Sequence, residues 1–172
     1  ALVESVICNL SRGKATGLYN ISAEHLQFCH ALLPVVLAML FNLMIKIDAF
    51  SHSYTVPLLK DHGNAYAKSV SANDFRGISI SPVISKVFEH CILERYGAFF
   101  VSSDYQFGFK KRSSCAHATY TLRCVIDYFV SRNSTVNLCA VDLSKAFDKM
   151  SHHGLFIKLM NRCIPVSLLR IL

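Results

Sequence analysis

Apolar positions change their rhythm several times along the chain, and each change predicts an element. Ser22 opens Ser-Ala-Glu-His, a suitable N-cap for a first helix. Apolar residues from about Pro34 to Ile47, with proline at the entry, predict a second helix. Tyr54 to Lys60 reads as a strand and Phe75 to Ile80 alternates as another. The polar interval Asp61 to Asp74 contains Gly63-Asn64 and reads as the loop joining them into an antiparallel hairpin. Ser81-Pro82 then opens a helix in which Val83, Val87, Phe88, Cys91 and Ile92 recur at helical spacing. Ala118, Leu122, Val125, Ile126 and Phe129 mark a further amphipathic helix. The run Val136 to Val141 predicts a strand ending in Asp142, with a helical pattern starting at once and further helices near 152–162 and 165–172. The fold class expected is α/β of the α+β kind, a hairpin inserted among helices.

Composition narrows this picture. The 172 residues are 52% apolar and only 17% charged, enough to build a core and against wholesale disorder. A net charge of +7 and a pI near 9.1 point to a polyanionic partner. The seven cysteines are odd in number, scattered and free of any Cys-x-x-Cys pair, which reads as a reduced intracellular protein. Cys91, Cys124 and Cys139 sit inside apolar patterns, as small core residues would. The stretch Ala31 to Ile47 is short for a membrane span and is interrupted by Pro34, Asn42 and Lys46, so a buried helix is expected and no membrane partner. With Ala1 at one end and a helical pattern at the other, the chain reads as a piece of something longer.

Several residues carry candidate chemistry. Asp142 at a strand end suits a hard divalent metal at the rim of a sheet, and equally a cap for the next helix, which spacing alone favours. On a helix Asp148 would lie about 240° further round, so the two carboxylates need not converge and Asp148 reads as structural. Lys60 and Arg76 fall near the loop end of the hairpin, suited to a triphosphate or simply to a solvated tip. Lys110, Lys111 and Arg112 with Phe107 and Phe109 offer charge and stacking faces to a nucleic acid, or else form a charged loop over core aromatics. Cys29-His30, His90-Cys91 and His152-His153 lack the spacing of zinc ligands.

Three ordered motifs carry a resemblance. Asn73-Asp74-Phe75-Arg76-Gly77-Ile78-Ser79-Ile80-Ser81-Pro82 with Val83 to Glu89 resembles the fingers motif of reverse transcriptases from non-LTR (LINE-like) retrotransposons. Gln106-Phe107-Gly108-Phe109-Lys110-Lys111 with Ser114 is similar to the next motif, and Val141 to Asp148 to the first palm motif. Order and intervals agree from about Lys14 onward. The resemblance implies a partial right-hand polymerase fold: fingers over 1–112, with the start of the palm over 113–172.

It also implies roles. Asp142 matches the catalytic, metal-binding aspartate, with the Leu143 carbonyl near a second metal. Phe147 matches the residue under the incoming sugar, and Arg76 and Lys60 match basic positions near the incoming dNTP. Gln106, Phe107, Gly108, Phe109, Lys110, Lys111 and Ser114 match a segment along the template. The implied partners are an RNA template, a DNA primer, dNTPs and the remainder of a polyprotein (rest of palm, thumb and possibly an endonuclease). The implied cofactor is two Mg2+ ions, and the implied location the cytoplasm and nucleus.

There are departures from the family pattern. Tyr19-Asn20 stands where Asp before a small or polar residue is usual, and the chain is short between Lys46 and Ser53. Arg112 holds a position usually occupied by glycine, a poor exchange if φ there is positive. The palm motif with Tyr-x-Asp-Asp is not in these residues, so the segment alone is expected not to polymerise. A decayed remnant and a non-catalytic nucleic-acid-binding module remain as alternatives.

Overall fold

Residues 2–47, 52–60, 71–143 and 145–172 are described in a computed structural model of the chain. Most of the expected loop 61–74, the centre of the short segment between Lys46 and Ser53, and Ser144 lie outside them. The elements are α1 (Leu2–Cys8), α2 (Ala23–Gln27), α3 (Leu33–Lys46), β1 (Tyr54–Leu59), β2 (Phe75–Ile80), α4 (Val83–Tyr96), α5 (Cys115–Val130), α6 (His152–Asn161) and α7 (Val166–Leu169). The mixed α/β class is as expected. The chain divides into two units, Ala1–Gly97 with Leu159–Leu172, and Ala98–Lys158.

In the first unit local signals and packing agree. Ser22 is extended at the N-cap of α2 (φ −100°, ψ 171°), and its N–H donates to Nδ1 of His25 at 3.0 Å. Pro34 sits in the first turn of α3, where its missing N–H costs nothing. Helix α1 packs on α2, α3 and α4, and α7 packs on α3. Val87 and Phe88 of α4 and Leu168 of α7 are the most deeply buried, and the Phe88 ring meets Phe41 of α3 at 5.0 Å between centroids. Burial of such side chains is worth about 1.5–3 kcal/mol each, so this helical cluster supplies most of the unit's stability. Ahead of α2, the Gly13 N–H donates to Glu24 Oε1 at 2.7 Å. That bond, ahead of the glutamate's own N–H, Ser22 and Arg12, holds the Glu24 carboxyl below the usual range.

Gly17 is where two segments touch most closely. A Cβ there would lie 2.8 Å from Pro82 Cα and 3.2 Å from Ser81 O, at the exit of β2 into α4. The turn that makes this approach is closed by the Asn20 N–H on Gly17 O at 3.0 Å, with Asn20 left-handed at φ +53°. Asparagine tolerates that conformation better than most residues.

β1 and β2 pair antiparallel from Tyr54↔Ile80 to Leu59↔Phe75, forming the expected hairpin. Helix α3 departs from the buried helix expected. Leu37 and Phe41 are buried, but Leu32, Val36, Met39 and Leu43 along another side are more than half exposed. Among the described residues no helix is long and apolar enough to cross a membrane.

The second unit corrects three expectations. Residues 134–143 form no strand, although Val136 to Val141 is an apolar run of strand length. A strand needs a neighbour to take its N–H and C=O groups, and no described residue of this unit supplies one. The segment following Asp142 is not a helix either: 145–149 form a turn closed by the Lys149 N–H on Lys145 O at 3.1 Å, and α6 begins only at His152. Lastly, Cys124 and Cys139 are exposed rather than core, while Cys91 is buried. Helix α5 buries none of its residues fully, so its apolar stripe has nothing to shield those thiols.

Candidate functional site

The hairpin supplies one cationic patch. Arg76 lies opposite Leu58 in the register, and Lys60 lies two residues beyond Leu58, so the two basic side chains start from the same face near the loop end. The Lys60 N–H continues the ladder to Asp74 O at 2.9 Å. Its ammonium donates to Asn73 O at 2.7 Å, so an incoming phosphate would have to draw it off a loop carbonyl. Ser71 fixes that loop end by accepting from the Asn73 N–H, while Asp74 Oδ2 accepts from the Ser71 N–H at 2.8 Å. A cleft of about 600 Å³ in the same unit lies between α1, α3 and α4 and contains neither basic residue.

The second unit holds the remaining candidates. Gln106 to Ser114 is a chain of turns: the Gln106 N–H donates to Ser103 O, the Gln106 side chain donates to Gly108 O at 3.1 Å, and the Ser113 N–H closes on Lys110 O. Lys110 is half-buried and pairs with Asp104 at 3.0 Å, a partner the motif reading did not anticipate. No periodicity in the sequence marks this pair, which the turns between Asp104 and Lys110 bring together. Phe107 is half-buried, and the Phe109 ring is almost wholly exposed, so of the two readings of these aromatics the stacking face suits Phe109. Arg112 is left-handed at φ +61°, the condition under which a non-glycine residue there is strained. Ser114 is the N-cap residue of α5, extended at φ −154°.

Asp142 is exposed beside Leu143, and the following turn carries Phe147 and Asp148, also exposed. Because no helix starts after Asp142, the capping role favoured by spacing is not what the structure shows. Among the described residues no group of three or more His, Cys, Asp or Glu is placed to hold a metal. A magnesium ion takes oxygen ligands in near-ideal octahedral geometry, and two-metal chemistry needs converging carboxylates. One exposed aspartate does not make that site, so the described donor set does not by itself fit the two ions. The structure does bring Phe109 and Phe147 together, ring to ring.

These features define a basic α/β segment whose first unit carries cations on a hairpin and whose second unit carries cationic, aromatic and carboxylate groups on turns and loops, each chemically suited to phosphate or to a polyanionic strand. Comparison with known proteins agrees with that class. The chain is 22% identical over 160 residues to "Probable RNA-directed DNA polymerase from transposon BS" and 25% identical over 172 residues to "Probable RNA-directed DNA polymerase from transposon X-element", both of Drosophila melanogaster. Each match covers 91% of this chain and 18% of the relative, so the chain spans under a fifth of the length of these proteins. They support a reverse-transcriptase-like relationship. No protein-family model matches the chain. No solved structure matches it.

Proposed function

We propose that the chain is the fingers (1–112) and the beginning of the palm (113–172) of the RNA-directed DNA polymerase of a non-LTR retrotransposon. In the complete enzyme, dNTPs would be added to a primer 3′-hydroxyl on an RNA template, in the cytoplasm and nucleus. The observation that carries this reading is similarity over 91% of the chain to two proteins named as RNA-directed DNA polymerases. The common face of Lys60 and Arg76 on the hairpin supports it. In this reading those two cations meet the incoming triphosphate, and residues 106–114 lie along the template. Asp142, with the Leu143 carbonyl, is this chain's contribution to a site for two Mg2+ ions whose other carboxylates lie outside these residues.

In a full-length polymerase carrying this segment, Asp142→Asn is expected to abolish dNTP incorporation while leaving template binding nearly intact. Substantial residual synthesis would remove the metal assignment. A second reading, a decayed remnant, is favoured by the left-handed Arg112. The 172-residue chain should bind RNA weakly, with affinity falling steeply as salt is raised, because phosphate contacts release counterions. A flat binding curve at low salt would sink the binding-module reading.

A further inference from the structure

Two exposed aromatic rings meet in the second unit. Phe109 and Phe147 lie 6.3 Å apart between ring centroids with their planes at 86°, an edge-to-face arrangement within the range at which aromatic rings attract. Each ring is otherwise open to water, 97% exposed for Phe109 and 75% for Phe147. No core holds either side chain.

The backbone around the pair is unusual. Phe109 is left-handed at φ +56°, and Lys145, which opens the turn carrying Phe147, is left-handed at φ +55°. Bulky residues avoid this region because Cβ crowds the carbonyl oxygen, and where they adopt it the conformation points to a constraint. One of these residues carries a ring of the contact, and the other lies two residues before its partner. The turn at 145–149 presents Phe147 without burying it, and the Phe109 ring is the aromatic group that faces it.

We propose that Phe109 is a positioning residue for Phe147: its ring selects the Phe147 rotamer and so sets how strictly Phe147 discriminates at the sugar of the incoming nucleotide. The inference rests on the reading of Phe147 as the residue beneath that sugar. It assigns Phe109 a part in substrate selection beyond a place on the template path.

Fluorine NMR of the 172-residue chain with para-fluorophenylalanine at position 147 tests the contact. Phe109→Leu should move that resonance toward the value of the free amino acid, and Phe109→Tyr should restore it. Phe109→Asn keeps a residue that tolerates the left-handed backbone while removing the ring, and should behave like Phe109→Leu. A resonance indifferent to Phe109→Leu and Phe109→Asn overturns the proposal. In a full-length polymerase carrying this segment, Phe109→Leu should weaken discrimination against ribonucleotides by about two- to tenfold, the span of one aromatic pair. Phe109→Tyr should recover it. If Phe147→Ala relaxes discrimination but Phe109→Leu does not, the positioning role fails alone. If Phe147→Ala changes nothing, the reading of Phe147 fails and takes this role with it.

Discussion

Replacing Gly17 by alanine tests the closest approach in the first unit. The added methyl would sit 2.8 Å from Pro82 Cα, 3.0 Å from Pro82 N and 3.2 Å from Ser81 O. All three are backbone atoms, so no flexible side chain can swing aside, and either the 13–21 loop or the start of α4 must shift. Overpacking of this kind costs about 1–3 kcal/mol. Alanine also narrows the unfolded ensemble, which returns about 0.4–1 kcal/mol. The net loss is therefore centred on about 1.3 kcal/mol. With a urea dependence of roughly 2 kcal/mol per molar, the unfolding midpoint should fall by about 0.6 M. Gly97→Ala is the matched control. Gly97 is right-handed at φ −53° and has no atom within 4 Å of its would-be Cβ, so only the unfolded-state term acts and the midpoint should hold or rise. Equal midpoints for the two variants would refute the steric argument, and with it the docking of the 13–21 loop on the hairpin exit.

Arg112→Gly should stabilise the chain slightly: relief of a left-handed arginine gives about 1–2 kcal/mol, of which glycine's extra chain entropy takes back about 0.5–1. The same change removes a cation, so the slope of log affinity for RNA against log salt should shrink by at most about one, and a drop in urea midpoint would contradict the strain. Cys91 should be the slowest of the seven thiols to alkylate in the native chain, since burial, with the Glu94 carboxylate adding to it, pushes its thiol up. Modification of Cys91 as fast as of the exposed Cys29 would show that the α4 core is not packed as described.

What the sequence revealed divides along a physical line. Elements whose signals are local and whose apolar face finds a neighbour within the same unit are legible. Ser22 caps α2, the alternation of 75–80 pairs with 54–59, and the spacing of Val83, Val87, Phe88, Cys91 and Ile92 becomes the buried side of α4. Conditions on single residues could also be read, as with the positive φ at Arg112. The ion pair of Lys110 with Asp104 and the meeting of Phe109 with Phe147 were not legible, because turn geometry decides them and periodicity carries no information about it.

The failures have one cause. Every buried apolar residue belongs to the first unit, and none of the described residues between 98 and 158 is buried. Yet the apolar positions of α5 recur at helical spacing and 136–141 is a nearly continuous apolar run, patterns that suit elements with covered faces. Leu122, Val125 and Phe129 are 44–45% exposed, Leu138 is 61% and Val141 is 83%. The sequence there encodes burial that the described residues do not provide, and the predicted strand fails with it, since neither its ladder nor its apolar face is satisfied. Asp142 inherits the consequence. Its place at a sheet rim depended on that strand, so in this structure the carboxylate projects from an unpaired segment. Motif resemblance, and not the geometry around Asp142, carries its assignment as a metal ligand.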